Sequence, residues 1–599
     1  MLKKFFISFL GSMAAIWLST LLLSIGFVIF ILALIGSNLK SSAVKEHSIL
    51  LLNIHGLITE RHTDPTLKDI LTQEYDATVP SLDDMVKSLS IAASDPNIDG
   101  VYIECNGASM SYAACQELIE AIEDFKKSGK WVYAYSDGYN QVEYYLSSAA
   151  NRVYVNTTGS VDIHGIGAQV PFFKNALDKL GVDVQVFKVG TYKSAVEPFI
   201  LTEMSEPARQ QSEVYLGSIW DDITKGIAKA RKKTTADVNT WADSLLVTVP
   251  TDSLKTMGVV DELCYRHEIE DKLRSLTSIN KGDDLRFVTP DEYLYAPNVK
   301  YDIPSSDKPH IAVLYAVGDI TDTGTEGISA ETMVPQIINL ADDDNVKGLV
   351  LRVNSGGGSA FASEQIWEAL EYFKKTGKPY YVSMGAYAAS GGYYISCGAD
   401  KIYCDPATLT GSIGIFGMIP NFEGLLNNHL GINISTVGTT PNATFPSVTS
   451  PMSPAQYQAM QNNVNNGYRL FTSRVANGRK MPLDSVLTIA EGRVWDGNTA
   501  LKLGLVDGHS SLNGVVKMLT KATDLKETQA IAYPLNQATD LQQLMKSVSQ
   551  QAKLAQLYPE ASNALTQLTP DDFMQYIKII GILKSGTTIY TRMEDITIK

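Results

Sequence analysis

Apolar and polar positions fall into two regimes along the chain. Phe5–Ile35 is an almost unbroken apolar run, interrupted by Ser, Thr and Gly alone. A helix that spans a bilayer needs about 20 such residues, whereas a signal-peptide core takes about 7–15. Residues 5–35 are therefore expected to form one transmembrane helix. Lys3 and Lys4 ahead of the run are expected to stay in the cytoplasm and leave everything after about Leu39 outside it. No later stretch reaches membrane length, and the pattern changes to short apolar runs alternating with amphipathic segments. Val346–Val353 reads as a buried strand and Asn354–Gly358 as a glycine turn. Ser363–Lys375 reads as a helix with Ile366, Ala369, Leu370 and Phe373 on one face. Pro379–Met384 reads as the next strand, Gly385–Ser390 as a small-residue turn, and Ser390–Tyr394 as the start of another helix. Strand, helix, strand, helix predicts parallel βαβ units, in which chemistry collects in loops at the carboxyl ends of strands. Met204–Lys233 and Ser453–Arg479 read as polar helical extensions, and the tail from about Gln537 as an amphipathic helical appendix.

The same pattern occurs twice. Ala121–Lys130 (AIEDFKKSGK) and Ala369–Lys378 (ALEYFKKTGK) share seven of ten residues at a shift of 248. Asp95–Gly100 aligns with Asp343–Gly348 in that register, and Ala150–Asn156 with Ala399–Asp405 at a shift of 249. Several matches in nearly one register mark an internal duplication. The expected organisation is an anchor over 1–45, one repeat over 46–300, a second over 301–535 and a tail over 536–599.

Composition narrows the function classes. The 599 residues carry a formal net charge of -15, which disfavours a nucleic-acid partner because no basic stripe is present to neutralise phosphates. The five cysteines lack zinc-pair spacing, Cys397 and Cys404 being too far apart, and read as small buried thiols.

Two turns suit acyl chemistry. Ser390 sits in Ala388-Ala389-Ser390-Gly391-Gly392, where small neighbours admit a substrate backbone and a helix start offers unpaired N–H groups to an oxyanion. A helix N-cap would look the same. Gly356-Gly357-Gly358 can supply further N–H donors, or simply make a tight connection. No histidine lies between His310 and His429, so a Ser-His pair is not indicated. A desolvated lysine could serve as base, but composition cannot select which one.

The segments Val353–Glu364 (VNSGGGSAFASE), Ser383–Ser396 (SMGAYAASGGYYIS) and Leu409–Gly417 (LTGSIGIFG) resemble signal peptide peptidase A. Val189–Phe199 (VGTYKSAVEPF) is similar to the lysine segment of that family's long, duplicated form. The resemblance spans nearly all of 46–535 and implies an α/β fold with two tandem Clp/crotonase-like domains. It implies Ser390 as nucleophile, Lys193 as general base and Ser412 as the residue orienting the lysine. It also implies an oxyanion hole from N–H groups of Gly391 and Gly358, with Gly357 beside it, and no metal or cofactor. Gly356 stands where the family usually has Pro. Implied partners are cleaved signal peptides and other apolar peptides, the bilayer through residues 5–35, and three further copies in a homotetramer. The implied location is the inner membrane, with the catalytic part in the periplasm. At a shift of 248, Ser390 aligns with Val142 and Lys193 with Pro441, so each repeat keeps one half of the pair. An acyl-CoA enzyme of the same fold and an inactive peptide-holding scaffold are the rival readings.

Overall fold

The computed structural model describes residues 43–62, 79–301, 305–324, 327–526, 529–534 and 590–592. Among them no helix is long and apolar enough to cross a membrane; the anchor expected over 5–35 lies outside the described residues.

Two parallel sheets repeat one topology. The first runs Glu262–Leu263, Arg152–Val161, Trp131–Tyr139, Ile98–Ser109, Ser48–Leu57, Phe287–Val288, and every neighbouring pair in it is parallel. The second runs Gly508–His509, Lys401–Cys404, Tyr380–Ala389, Val346–Ser355, His310–Val317, Ala530–Tyr533, again all parallel. Beyond this shared order, Leu409–Gly411 extends the second sheet beside Tyr387–Ala389 and pairs antiparallel with Val494–Asp496. The central strands are covered on both faces. Leu349, Val350 and Leu351 are fully buried, which is why the stretch reads as a continuous apolar run rather than an alternating one.

Matching residues do matching work in the two copies. Lys130 Nζ donates to the carbonyls of Ala92 and Asp95, and Lys378 Nζ to those of Ala341 and Asp343. Each lysine thus adds a charged donor to carbonyls at the end of a helix and the turn after it, Leu82–Ala92 in one copy and Ala330–Asp342 in the other. The glycine–lysine that closes both matching segments is therefore structural. Tyr144 Oη donates to Val259 O and Tyr393 Oη to Leu505 O. That pair is related by a shift of 249, and the residue between strand and helix that corresponds to Ser390 is Asn140 rather than Val142. The register of 248 holds as far as Ser136 and Met384 and slips before the helix, so extending it to Ser390 misplaced the counterpart.

Element boundaries follow the sequence reading closely, with three differences, the first being that the expected turn Asn354–Gly358 is strand to Ser355 and again from Gly357 to Ser359. The strand predicted over Pro379–Met384 continues to Ala389, because the small residues that suggested a turn allow close packing in a strand whose end carries Ser390. The tail, expected to be helical, lies outside the described residues except for Tyr590–Arg592, and these form a strand. Thr587-Thr588-Ile589-Tyr590-Thr591 is rich in β-branched and aromatic residues, which favour extended backbone. The extensions are the helices Glu206–Arg231 and Pro454–Arg479. All five cysteines are free and buried, and burial pushes the Cys105 and Cys404 thiols well up, leaving them unreactive.

A third sheet joins the repeats. Asp183–Lys188 of the first pairs antiparallel with Phe416–Asn421 of the second over six residue pairs, from Asp183–Asn421 to Lys188–Phe416. This strand pair delivers the segment Val189–Lys193 to the second repeat's sheet.

Candidate active site

Ser390 follows directly on the strand Tyr380–Ala389 and stands at the N-cap position of the helix Gly391–Ser396, with no capping bond from its side chain. Its backbone is left-handed, with φ 55°, a strained conformation for a residue with a Cβ. The turn is held by the Ser390 N–H donating to Gly411 O at 2.8 Å. Close approach of backbone is built in here: a Cβ on Gly392 would lie 2.6 Å from Ser355 O.

Lys193 comes from the other repeat, five residues beyond the inter-repeat strand, and the two side chains meet within one chain. Lys193 Nζ lies 2.8 Å from Ser390 Oγ and donates to Ser412 Oγ at 3.0 Å and Ser412 O at 3.3 Å. All three residues are buried, Lys193 to 1% exposure and Ser390 to 0%. The Phe416 ring lies 5.9 Å from the amine.

The lysine stem is clamped by neighbours that local sequence did not single out. Gly492 has φ +73°, and a Cβ there would sit 2.7 Å from Lys193 Cβ and 2.9 Å from its backbone N. Arg493 O accepts from Ser412 N–H at 2.7 Å, while its guanidinium lies over the rings of Tyr192 and Trp495 at 4.6 and 4.3 Å. Gln211, in the second turn of the helix Glu206–Arg231, donates to Tyr192 O and Ser194 Oγ and accepts from Val494 N–H. One glutamine side chain thereby ties both flanks of Lys193 to the second repeat. A glycine turn marks Glu491-Gly492-Arg493 in the sequence, but nothing local marks Gln211.

The glycine turn lies on the strand Gly357–Ser359. A Cβ on Gly358 would overlap Ile320 O at 2.0 Å, so only glycine fits against the neighbouring strand. The Gly357 N–H donates to Ser355 Oγ at 3.1 Å, which engages it within the turn. Gly356 stands clear, with nothing within 4 Å of a Cβ built there.

In the first repeat the residue directly after the strand Trp131–Tyr139, at the N-cap of the next helix, is Asn140, and the helix opens with Gln141. Gln141 Nε2 donates to Tyr112 Oη and Gly165 O, and its Oε1 accepts from the N–H groups of His164 and Gly165. That residue fastens a loop. Only the second repeat therefore presents a hydroxyl at the strand end, against an amine supplied by the first.

Residues 124–280 and 372–526 match Peptidase family S49, one stretch in each repeat, and residues 319–407 match Clp protease. Protease 4 of Haemophilus influenzae is 36% identical over 529 residues, covering 85% of this chain and 85% of that protein. The chain belongs to peptidase family S49. This S49 peptidase is also 34% identical to Protease 4 of Salmonella typhi, over 88% of this chain and 86% of that protein. The chloroplastic serine protease SPPA of Arabidopsis thaliana is 27% identical, over 84% and 72%. This S49 peptidase is thus a serine protease of the signal peptide peptidase A type, built from two tandem domains of Clp-protease-like α/β fold.

Proposed function

We propose that this S49 peptidase hydrolyses cleaved signal peptides and other apolar peptides with a Ser390–Lys193 dyad. The observation that carries the proposal is the 2.8 Å approach of Lys193 Nζ to Ser390 Oγ, with Ser412 fixing the amine from behind. Burial disfavours the charged form of an amine, which suits Lys193 to accept a proton. Neutral Lys193 takes the Ser390 proton as Oγ attacks the peptide carbonyl, and returns it to the leaving amine. An acyl-enzyme results, which water opens once Lys193 has taken the water's proton. Gly391 opens a helix, where N–H groups lack intrahelical partners, and its N–H together with that of Gly358 would hold the oxyanion. Gly357 would shape that turn rather than donate. The reaction calls for no cofactor. The apolar run 5–35 would hold the enzyme in the inner membrane as a homotetramer, with the site on the periplasmic face.

The test compares cleavage of a fluorogenic apolar peptide by the parent, Ser390→Ala and Lys193→Ala. Ser390→Ala is expected to abolish turnover, and Lys193→Ala to lower kcat by about 10²–10⁴-fold. Followed from about pH 6 to about pH 10, the parent rate should rise along an acidic limb as the lysine loses its proton. Retention of most activity by folded Lys193→Ala would falsify the dyad, and parent-like activity in both variants would leave a peptide-holding scaffold.

A further inference from the structure

A cleft of about 370 Å³ lies between the repeats, and none of Ser390, Lys193 and Ser412 lines it. One wall is the helix Leu82–Ala92, with Leu82, Val86 and Ile91. The other belongs to the second repeat, with Val313 and Ala532 on adjacent strands and Val516 on the helix Leu512–Ala522. Glu60 and Glu117 also line it, their side chains 11% and 3% exposed, and the two share one cation, Arg352. Asp83 is matched by Lys87 at 2.6 Å, while burial, and then the charge of Glu117, favour a protonated Asp405. One negative charge is therefore in excess among these buried groups. Two cations stand in more exposed positions: Lys517 on the second wall, and Arg61, whose guanidinium lies over the Tyr315 ring at 4.8 Å. Glu60 also reaches the catalytic strands. Its Oε1 accepts from Asn354 Nδ2 at 3.2 Å, and Asn354 Oδ1 accepts from Tyr387 N–H at 3.2 Å. Val353 pairs with Met384 but Ser355 with Ala388, so the serine's strand bulges by two residues there, and the Asn354 side chain bridges the gap. Ser355 leads into the glycine turn and Ala388 into Ser390.

We infer that this cleft binds short apolar peptides by their N-terminal ammonium, as products of the protease's own reaction, and that an occupied cleft slows turnover. The inference rests on the protease reading above. Hydrolysis adds water across a peptide bond, leaving a carboxylate on one fragment and an ammonium on the next. A short apolar fragment of that kind matches the cleft, with aliphatic side chains against Leu82, Val86 and Val313, the ammonium at Glu60 and Glu117, and the carboxylate toward Lys517. Ligand sites of about 300–1,000 Å³ with apolar walls and a few placed polar groups are common where domains meet, and capture of a chain terminus is a recurring mode of peptide recognition. A buried carboxylate that shares its cation is costly, so an incoming ammonium relieves it. Burial is the largest influence raising the Glu60 pKa, and the ligand's charge would favour the ionised form again. An ammonium that draws on Glu60 weakens its bond to Asn354. The bulge that spaces Ser390 from the glycine turn then loosens, and kcat falls because small misplacements of reacting groups are costly.

The test keeps the full chain and uses dileucine as probe, with N-acetyl-dileucine as the form that lacks the ammonium. Titration calorimetry should show one dileucine bound per chain, alike in the parent and in Ser390→Ala. The acetylated peptide should bind about tenfold more weakly or worse, as loss of a charge-assisted hydrogen bond predicts. Val86→Phe and Ala532→Leu each fill the cleft from a different wall. Both are expected to cleave a fluorogenic apolar peptide at the parent rate and to bind dileucine at least about tenfold more weakly. Saturating dileucine should lower the parent's kcat about fivefold at nearly constant KM, and should leave both filled variants unaffected. No binding, equal binding of the acetylated peptide, or binding that survives both fillings would overturn the inference. So would inhibition that raises KM alone, which places dileucine at the serine. If no form cleaves the fluorogenic peptide, the protease reading fails and takes the inhibition with it, while the calorimetry still decides whether the cleft takes the ammonium.

Discussion

A buried lysine is useful to a serine only if its amine is aimed, and in the dyad proposed for this S49 peptidase the aiming would fall to residues with no chemistry of their own. Ser412 Oγ accepts from Lys193 Nζ at 3.0 Å, and misplacing a reacting group by about 1 Å can cost about 10²-fold in rate. Ser412→Ala is expected to lower kcat by about 10–100-fold with little change in KM, measured by steady-state peptide cleavage. Gly492→Ala acts from the other side of the stem. Its Cβ would lie 2.7 Å from Lys193 Cβ at φ +73°, so the lysine backbone has to yield. Peptide cleavage and fluorophosphonate labelling should fall together, and Tm should drop with them. Unchanged labelling would show that Gly492 does not position the base. That Ser390, Lys193 and Ser412 come together was legible because their segments resemble a family. Gly492 and Gln211 were not, since a turn glycine or a helix glutamine carries no local sign of the distant residue it holds. The N–H of Gly357 was equally unreadable, because its engagement with Ser355 Oγ depends on a rotamer rather than a spacing.

Among the elements, alternation of apolar runs and amphipathic segments sufficed to predict the parallel sheets and their helices, because a strand covered on both faces has to be apolar throughout. It could not reveal how the copies face each other. That contact includes a charged cluster in the interior. Arg352, fully buried on the strand Val346–Ser355, pairs with Glu60 at 2.9 Å and Glu117 at 2.6 Å, both from the first repeat. Burial alone would push the guanidinium pKa down, but Glu117, Glu60 and Asp405 more than reverse this. Arg352→Met leaves two buried carboxylates without their cation, a defect that costs about 3–5 kcal/mol. Denaturant unfolding should show a loss of that size, and activity should fall because Glu60 also bonds Asn354 at 3.2 Å, next to the glycine turn. Asp405 adds a pH dependence. Burial first, and the charge of Glu117 second, raise its pKa well above the ordinary carboxyl value. The folded state therefore holds a proton that the unfolded chain has released, and stability falls as pH rises from about 4 toward the folded pKa. Asp405→Asn should remove that slope. The stability of the variant relative to the parent should increase with pH between acid and neutral, and a constant difference would refute the assignment.

At the scale of the whole molecule, the proposed dyad would make two similar domains into one site by division of labour after duplication. The serine stands at a strand end of the second repeat. The amine arrives on a segment of the first, through the six-pair strand contact Asp183–Lys188 with Phe416–Asn421. The first repeat holds no second nucleophile at the matching place, because Asn140 caps the helix there and the amide of Gln141 is committed to a loop. The covalent link between the repeats should then matter less than their contact. Besides the strand pair and the Arg352 cluster, Ser218 Oγ donates to Asp496 at 2.7 Å, Gln116 accepts from Ala407 N–H at 3.0 Å, and Tyr457 Oη donates to Val186 O at 2.8 Å. A specific cleavage site inserted between Tyr301 and Ser305 tests this directly. After cutting, the two fragments are expected to co-elute on size exclusion at the parent's volume and to retain peptide cleavage. The same cut made in Arg352→Met should release them, since the charges that remain are then unpaired across the boundary. Fragments that separate in the parent background yet regain activity on mixing would mean the strand pair re-forms without the buried cluster. Fragments that stay together but lose activity would mean that the link, rather than the contact, holds Lys193 against Ser390.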